Sequence, residues 1–183
     1  MDSRPPPAGE VWIDRRLTIR ESAIEGSGLF FSDDVPEDVV VIRLGGHLVN
    51  SIELNQLICT ADADPGAPYV DTITVYEDTH LVIPAGTAIH FGNHSCDPTV
   101  WHVGPYELAT RRAVTAGEEA TVDYGTQSGA DGLSMDCNCG FEHCRGRVTS
   151  DDWRRPELQE RYRSHWVPAL HARIAQFNGK TRR

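Results

Sequence analysis

The sequence has almost no lysine and no long hydrophobic run. Of its 17 basic residues only Lys180 is a lysine, which codon bias in a GC-rich genome explains most simply. No apolar stretch approaches the roughly 18 residues that a membrane helix needs. The start, "MDSRPPPAGE", has no apolar segment of the kind found in secretory signals. We therefore expect a cytoplasmic protein with no membrane partner.

Positive charge is also scarce. The 17 basic residues face 27 acidic ones, which gives a formal net charge of −10 at pH 7. Binding to a nucleic-acid backbone needs a basic surface, so we expect no direct nucleic-acid partner. An acidic surface attracts a basic protein or peptide. A net charge of this size can equally have no role beyond keeping the protein soluble.

A dinucleotide-binding fingerprint is absent as well. The nearest motif is "GSGLFF" at residues 26–31, which lacks the third glycine of G-x-G-x-x-G. The run after Gly28 has the β-branched and aromatic character of a strand, whereas the dinucleotide motif requires the N-terminus of a helix there. This pattern excludes a Rossmann-type site.

The length of 183 residues predicts one domain. Residues 1–10 are polar and proline-rich and are expected to be a disordered lead-in. Short β-like runs then extend to about Tyr124, interrupted once by "SIELNQLICTA", which is typical of a short helix. The runs are "LFFSDDV", "VVVIRL", "YVDTITVYE", "THLVIP", "AIHF", "YELATRRAV" and "EEATVDY". The fold class predicted is mostly β (β+α).

The last part of the chain has helical spacing. Apolar residues recur about one turn apart from residue 158 to residue 177, and two prolines are expected to interrupt the helix. The apolar positions are Leu158, Tyr162, Trp166, Leu170, Ile174 and Phe177, and the prolines are Pro156 and Pro168. We expect Leu158, Tyr162 and Trp166 to be buried against the core or a second subunit.

Five cysteines are present, and three of them lie in "CNCGFEHCRG" as C-x-C-x4-C. Cys137 and Cys139 are too close in sequence to form a comfortable disulfide, and a reducing compartment disfavours one. Structural zinc takes four ligands, so this motif predicts a zinc site that lacks one ligand. Residue types alone leave four candidates for it: Cys59, His94, Cys96 and His143.

A second concentration of polar groups is "FGNHSCDP" at residues 91–98, directly after the apolar run "LVIPAGTAIHF". The order "NHSCDP", "AGEEATVDYG", "CNCGFEHCRG" resembles the SET domain of protein-lysine methyltransferases with its cysteine-rich post-SET loop. "GSGLFF" is similar to the family's N-terminal Gly-x-Gly motif. The run "DDWRRPELQERY" resembles the tail of small bacterial SET proteins. The resemblance covers roughly residues 15 to 147.

The resemblance implies a SET-type fold of several small twisted sheets with a zinc-bound post-SET loop and a C-terminal helix. Its expected boundaries are 11–126 for the SET domain, 127–148 for the post-SET zinc loop and 149–183 for the helical tail. In the family the cysteine of "NHSC" is the fourth zinc ligand. The implied metal site is Cys96, Cys137, Cys139 and Cys144, which leaves Cys59 as a small buried residue.

The resemblance also implies an S-adenosylmethionine site. An asparagine amide has donors and an acceptor for the methionyl part of that cofactor, and glycines let a loop approach it closely. His94 could equally be a purely structural histidine. The cofactor-binding residues carried over from the family are Glu25, Gly26, Ser27, Asn93, His94, Tyr124 and Met135, and Phe141 is expected to line the lysine channel.

Tyr124 is the catalytic candidate, with a core tyrosine at a strand end as the alternative. A lysine amine has a pKa near 10.4 in water, so it must lose a proton before it accepts a methyl group. An apolar channel and a cationic sulfur both lower that pKa. The tyrosine hydroxyl then has to orient the amine, and alignment alone contributes up to roughly 7–11 kcal/mol in ideal cases.

This sequence departs from the family pattern at four positions. Leu44 stands where a tyrosine is frequent, His90 where an arginine is common and Thr99 where an asparagine is usual. Val122 stands where a phenylalanine or tyrosine often shapes the lysine channel, which leaves the number of methyl groups transferred open.

Three functions remain open on the sequence alone. The first is a lysine methyltransferase that acts on a basic protein or peptide. The second, favoured by Leu44, is a catalytically weak SET domain that serves as a zinc-stabilised protein-binding module. The third is a Cys–His hydrolase with Cys96 as its nucleophile, which fails if Cys96 is a metal ligand.

Overall fold

The computed structural model describes residues 6–127 and 132–181. Within them the strands in chain order are β1 (Trp12–Ile13), β2 (Leu17–Glu21), β3 (Ser27–Phe31), β4 (Val40–Arg43), β5 (His47–Val49), β6 (Thr72–Tyr76), β7 (Thr79–Val82), β8 (Val100–His102), β9 (Glu107–Thr110), β10 (Ser134–Asp136) and β11 (Arg147–Thr149). The α-helices are α1 (Ser51–Asp62), α2 (Pro156–Tyr162) and α3 (Pro168–Thr181), and short 3₁₀ turns cover Ala88–Phe91, Tyr124–Thr126 and Asp152–Arg154.

The strands form four small antiparallel sheets. One has the order β1-β4-β9-β8 and another the order β5-β7-β6, while β2 pairs with β3 and β10 with β11. The core between them is built from aliphatic and aromatic residues such as Leu29, Phe31, Val41, Val75 and Leu81. The fold class predicted from the sequence, mostly β with several small sheets and a helical tail, is confirmed.

Two of the predicted β runs have other conformations. "AIHF" is the 3₁₀ turn Ala88–Phe91. The run "EEATVDY" is extended, but it forms only isolated bridges, Glu119 with Phe30 and Val122 with His94. Its neighbours belong to different parts of the chain, so no regular ladder develops along it.

Helix α1 begins where the sequence analysis expects a short helix. Oδ1 of Asn50 accepts hydrogen bonds from the backbone N–H groups of Ile52 and Glu53, each at 3.0 Å. Oε2 of Glu53 in return accepts from the backbone N–H of Asn50 at 2.9 Å. This reciprocal capping satisfies donors that the first helical turn leaves unpaired.

The tail is part of the same core as the sheets. Leu158, Tyr162 and Trp166 are buried, as predicted, and they pack within the main hydrophobic cluster. The two prolines begin helices rather than interrupt one, because a proline at the first helical position lacks only a donor that has no partner there anyway. Phe177, the last apolar position with helical spacing, is 37% exposed.

Of the predicted lead-in at residues 1–10, residues 1–5 lie outside the described part, and Ala8 bridges to Gly45. The expected boundaries at residues 126/127 and 148/149 stay predictions. Across residues 6–127 and 132–181, every helix is too short or too polar to span a bilayer.

Candidate active site and cysteine cluster

The site is assembled where residues 93–95 run beside residue 122. The backbone N–H of Val122 donates to the carbonyl of Asn93 at 3.0 Å, and the N–H of Ser95 donates to the carbonyl of Val122 at 3.2 Å. This parallel contact brings "NHSC" and "VDYG" together although about 30 residues separate them. Thr99, one of the departures noted above, donates its hydroxyl to the carbonyl of Glu119 at 2.8 Å and supports the same crossing.

Tyr124 stands at this crossing with its phenol turned inward. Its hydroxyl donates to the carbonyl oxygen of Gly92 at 2.7 Å. Burial, with the negative charges of Asp71 and Glu25 nearby, raises the pKa of Tyr124 to about 12. The phenol is therefore neutral at physiological pH and its proton is already engaged. What remains for a ligand is the lone-pair side of the oxygen, which accepts hydrogen bonds.

Tyr124 lines a channel of about 350 Å³. Its wall is mainly aliphatic, with polar groups concentrated among Tyr69, Asp71 and His90. His90 is held there because Nδ1 lies 3.0 Å from the Asp71 carboxylate and Nε2 lies 3.0 Å from the carbonyl of Pro84. The aliphatic lining comprises Ile42, Leu44, Ile73, Ile83, Ile89, Val100, Leu108, Ala120, Val122 and Leu133. Three of the four departures from the family pattern, Leu44, His90 and Val122, thus lie in this one channel.

Tyr124 also lines a second, small cleft of about 40 Å³. Five of the predicted cofactor residues line it: Glu25, Asn93, His94, Tyr124 and Met135. The cleft is smaller than the 300 Å³ or so of a typical ligand site. A nucleoside-sized ligand must therefore extend from it over the neighbouring exposed residues, which include Asp136 and Asn138. Tyr124 and Met135 line both the cleft and the channel.

The remaining predicted cofactor residues, Gly26 and Ser27, lie where the loop beside this cleft enters β3. Gly26 has a φ of +51°, a left-handed conformation that glycine adopts without strain. The side-chain nitrogen of Asn93 lies 3.2 Å from the carbonyl of Glu25 and 3.1 Å from that of Ser27. Asn93 therefore holds the loop as well as lining the cleft, a role that the sequence analysis did not anticipate.

The four cysteines of the predicted metal site lie together. The Sγ atoms of Cys96, Cys137, Cys139 and Cys144 are all within 4.8 Å of one another. Cys96 Sγ is 3.8 Å from Cys137 Sγ and 4.0 Å from Cys144 Sγ. Four sulfurs at 2.3 Å from a tetrahedral zinc ion are about 3.8 Å apart, so the donor set and its spacing fit structural zinc.

His94 connects the cysteine cluster to Tyr124. Its Nδ1 accepts a hydrogen bond from the backbone N–H of Tyr124 at 3.2 Å, so the ring proton belongs on Nε2. Nε2 lies 3.5 Å from Cys96 Sγ. This direction of donation suits a metal-bound thiolate, which accepts hydrogen bonds.

The same geometry argues against a Cys–His hydrolase. A histidine that activates a cysteine must take the thiol proton, whereas Nε2 of His94 carries a proton of its own. Cys96 is fully buried, and burial raises the pKa of its thiol to about 11. A fully buried sulfur among three other cysteines is poorly suited to attack a substrate, whether it is a protonated thiol or a metal-bound thiolate.

Two other expectations about side chains are wrong. Cys59 is exposed on α1 rather than buried, because that face of the helix points away from the sheets. Phe141 is not among the residues that line the channel. Its ring packs edge-on against His143 with the ring centroids 5.7 Å apart.

The sequence analysis also missed a group of supporting charged and polar residues. Glu119 Oε1 accepts from the Asn93 amide at 2.7 Å, and Glu119 Oε2 accepts from the Ser22 hydroxyl at 2.9 Å. Asp123 and Arg145 form a buried pair beside the cysteines. The local signals were that Asp123 precedes Tyr124, that Arg145 follows Cys144 and that Glu119 lies in "AGEEATVDYG".

No protein-family model matches the chain. Among curated proteins, histone-lysine N-methyltransferase trithorax of Drosophila virilis is 31% identical over 135 residues, which is 68% of this chain and 3% of that protein. Human histone-lysine N-methyltransferase 2B is 28% identical over 134 residues, covering 69% of this chain and 5% of that protein. Mouse histone-lysine N-methyltransferase SUV39H2 is 34% identical over 98 residues, covering 39% of this chain and 20% of that protein.

Among solved structures, the methyltransferase domain of human histone-lysine N-methyltransferase SETMAR superposes with a TM-score of 0.56 at 19% sequence identity. The superposition covers 72% of this chain and 57% of that one. At this identity the likeness concerns the fold. The curated relatives are far longer than this chain, which spans only a small fraction of each.

Proposed function

Since this chain carries a SET domain and is related to histone-lysine methyltransferases, we propose that it is a protein-lysine N-methyltransferase. In this proposal it transfers the methyl group of S-adenosylmethionine to a lysine side chain of a protein. The observation that carries the proposal is that Tyr124 lines both an apolar channel and a polar cleft. In this proposal the lysine enters the channel, the cofactor lies at the cleft, and the methyl group is transferred beside Tyr124.

The channel is suited to the lysine side chain. Its aliphatic wall packs against the four methylene groups of the stem. The same wall disfavours a charged ammonium group and lowers the pKa of the amine that enters. The substrate nitrogen therefore reaches Tyr124 more readily as a neutral amine, the form that has a lone pair.

Tyr124 then orients that amine. Because its own proton is donated to Gly92, the phenolic oxygen accepts a hydrogen bond from an N–H of the substrate. An amine held by its N–H directs its lone pair elsewhere, toward the cleft. The raised pKa of Tyr124 excludes a phenolate base at neutral pH, so its contribution is alignment rather than proton abstraction.

The cleft residues suit S-adenosylmethionine, which supplies the methyl group on a cationic sulfur. Glu25 and Asp136 bring carboxylates to the cleft, where negative charge favours a cation. The residues that would hold the cofactor are Glu25, Asn93, His94 and Met135, with Gly26 and Ser27 shaping the loop. Because the cleft is small, most of the cofactor would lie on the surface formed by residues 134–138.

Structural zinc would be held by Cys96, Cys137, Cys139 and Cys144. Bound there, it would tie the loop from residue 132 to 147 to the rest of the fold. That loop supplies Leu133 and Met135 to the channel wall, so an ordered loop is needed for a complete channel. Metal binding and formation of the site would then be coupled.

The substrate we propose is a basic protein or peptide, as the net charge of −10 suggests. Its identity and a cytoplasmic location remain predictions. The second possibility raised by the sequence, a binding module without catalysis, has less support. A pure binding module would not need the neutral phenol of Tyr124 to line both a channel and a cleft.

The test is methyl transfer from isotopically labelled S-adenosylmethionine to a protein extract and to basic lysine peptides, with mass spectrometry to locate the methyl group. We expect labelled lysine with the wild type, and a rate about 100-fold lower with Tyr124→Phe. Tyr76→Phe is the control, since it removes a hydroxyl at the far end of β6 from the channel. Absence of lysine methylation by the wild type, or full activity of Tyr124→Phe, would contradict the proposal.

A further inference from the structure

Two neighbouring residues at the end of α2 reach into the proposed zinc and methyl-transfer sites. Nη1 of Arg161 donates to the backbone carbonyl of Cys96 at 2.7 Å. The hydroxyl of Tyr162 donates to Oδ2 of Asp123 at 2.7 Å. Tyr162 is fully buried, and the spacing of apolar residues predicted that burial without indicating a partner for the hydroxyl.

Asp123 is the centre of a buried ionic network. Its carboxylate receives Nη1 and Nη2 of Arg145 at 2.6 and 2.7 Å. The backbone N–H of Gly125 donates to its Oδ1 at 2.9 Å. Asp152 adds a second carboxylate, 3.2 Å from Nε of Arg145. The side chains of Asp123 and Arg145 are 1% and 5% exposed, so each charge depends on the other for compensation.

The network joins two distant parts of the cysteine cluster. Arg145 directly follows the ligand Cys144, and its own backbone N–H donates to Cys96 Sγ at 3.4 Å. Asp123 directly precedes Tyr124, whose backbone N–H fixes the His94 ring that lies against the same sulfur. Arg161 therefore contacts the half of the cluster that contains Cys96. Tyr162 contacts Asp123, which binds the Arg145 that follows Cys144.

We propose that Arg161 and Tyr162 are positioning residues that hold the four cysteines in a metal-binding arrangement. Arg161 fixes the half that contains Cys96. Tyr162 fixes Asp123, and through Arg145 the half that contains Cys144. A second part of the inference rests on the proposed function: by holding Asp123, Tyr162 also holds Tyr124 where it lines the channel and the cleft.

The first part is tested on the full chain by zinc affinity, measured by competition with a chelator, and by the absorption of the cobalt-substituted protein. Tyr162→Phe keeps the ring that packs edge-on against Trp166 and loses only the hydroxyl. Arg161→Gln loses the donor to Cys96. Mutation of a residue that hydrogen-bonds to a metal ligand typically lowers metal affinity 10–100-fold. We therefore expect the zinc dissociation constant to rise about tenfold in each variant.

Two further variants separate positioning from a general effect of the tail. Arg161→Lys retains one donor for one carbonyl and should restore most of the lost affinity. Arg163→Gln removes the same charge from an exposed residue two positions further on and should leave zinc affinity unchanged. Zinc affinity within twofold of wild type in both Tyr162→Phe and Arg161→Gln would overturn the inference, as would a wild type that binds no zinc or an equal loss in Arg163→Gln.

The second part is tested at saturating zinc. Tyr162→Phe should then show a lower kcat with a nearly unchanged KM for S-adenosylmethionine, because it disturbs Tyr124 more than the cofactor loop. An unchanged kcat would overturn this part alone. If the wild type transfers no methyl group, the proposed function and this second part fail, whereas the zinc and cobalt measurements still decide the first part.

Discussion

Oε1 of Glu119 occupies the space in front of Gly28 where a Cβ atom would lie. The carboxylate fills the space in front of this glycine while it accepts hydrogen bonds from Asn93 and Ser22. A side chain at this glycine of the "GSG" motif would compete with Glu119 for the space beside the cleft. The missing side chain of Gly28 makes room for Glu119, which in turn holds Asn93 beside the loop.

Gly28→Ala should therefore displace Glu119 and weaken the cleft. A hydrogen bond to a charged group is worth about 1.5–3 kcal/mol, so we expect a loss of about 2 kcal/mol in unfolding free energy. Affinity for S-adenosylmethionine, measured by calorimetry, should fall as well. Gly9→Ala is the matched control, because no atom lies within 4 Å of its added Cβ. Unchanged stability and affinity in Gly28→Ala would mean that Glu119 moves without consequence.

Cys96→Ser should lose zinc, cofactor affinity and turnover together, because Cys96 is the one proposed ligand outside the loop that contains the other three. Metal analysis should give about one zinc per chain for the wild type and very little for the variant. The exposed Cys59, outside the cluster, supplies the control Cys59→Ser, which should retain all three properties. Full zinc occupancy in Cys96→Ser would disprove the four-cysteine assignment.

Channel volume should decide how many methyl groups one lysine receives. Leu44 and Val122 leave aliphatic space in a cavity of about 350 Å³, so we expect the wild type to reach the trimethylated product. Val122→Phe should shift the product to monomethyl-lysine by filling that space, at a cost of about 1–3 kcal/mol in stability. Mass spectrometry of a methylated peptide measures the shift, and Val122→Ile serves as the control. Identical product ratios in all three proteins would contradict this prediction.

Stability should fall in acid partly because of His102. Complete burial lowers the pKa of this imidazole to about 4 from its ordinary 6.5. As the pH falls, His102 is protonated in the unfolded chain before it is protonated in the folded protein. Its contribution to the free energy of unfolding is therefore complete above pH 6.5 and is lost as the pH falls toward 4. At about 1.4 kcal/mol for each pKa unit, the loss is about 3 kcal/mol.

Denaturant unfolding of the wild type and His102→Gln between pH 7 and pH 4 measures this contribution. His80 and His94 also have pKa values lowered by burial, so only the difference between the two proteins reports on His102. The variant should lose about 3 kcal/mol less than the wild type over this range. If the unfolding free energies of the two proteins fell in parallel with pH, His102 would not be the source of the loss.

The sequence by itself determined the features that depend on local pattern. The spacing of Leu158, Tyr162 and Trp166 predicted a buried tail, and residues 51–61 predicted a helix that the structure confirms. The spacing C-x-C-x4-C also named three of the four cysteines that meet in the structure, whereas Cys96 was implied only by the resemblance of "NHSC" to the family motif. These signals are readable because a helical period or a ligand spacing is contained within a few neighbouring residues.

Only the tertiary structure decided which polar residues meet across the chain. Nothing near Asp123 in the sequence indicates that it binds Arg145 and Tyr162, 22 and 39 residues away. Glu119 was likewise one acidic residue among 27 until the fold brought it to Asn93. The strand-like run "EEATVDY" forms no ladder because its partners come from separate segments. Such contacts depend on the packing of distant segments, which buries their charges together and leaves no periodic trace in the sequence.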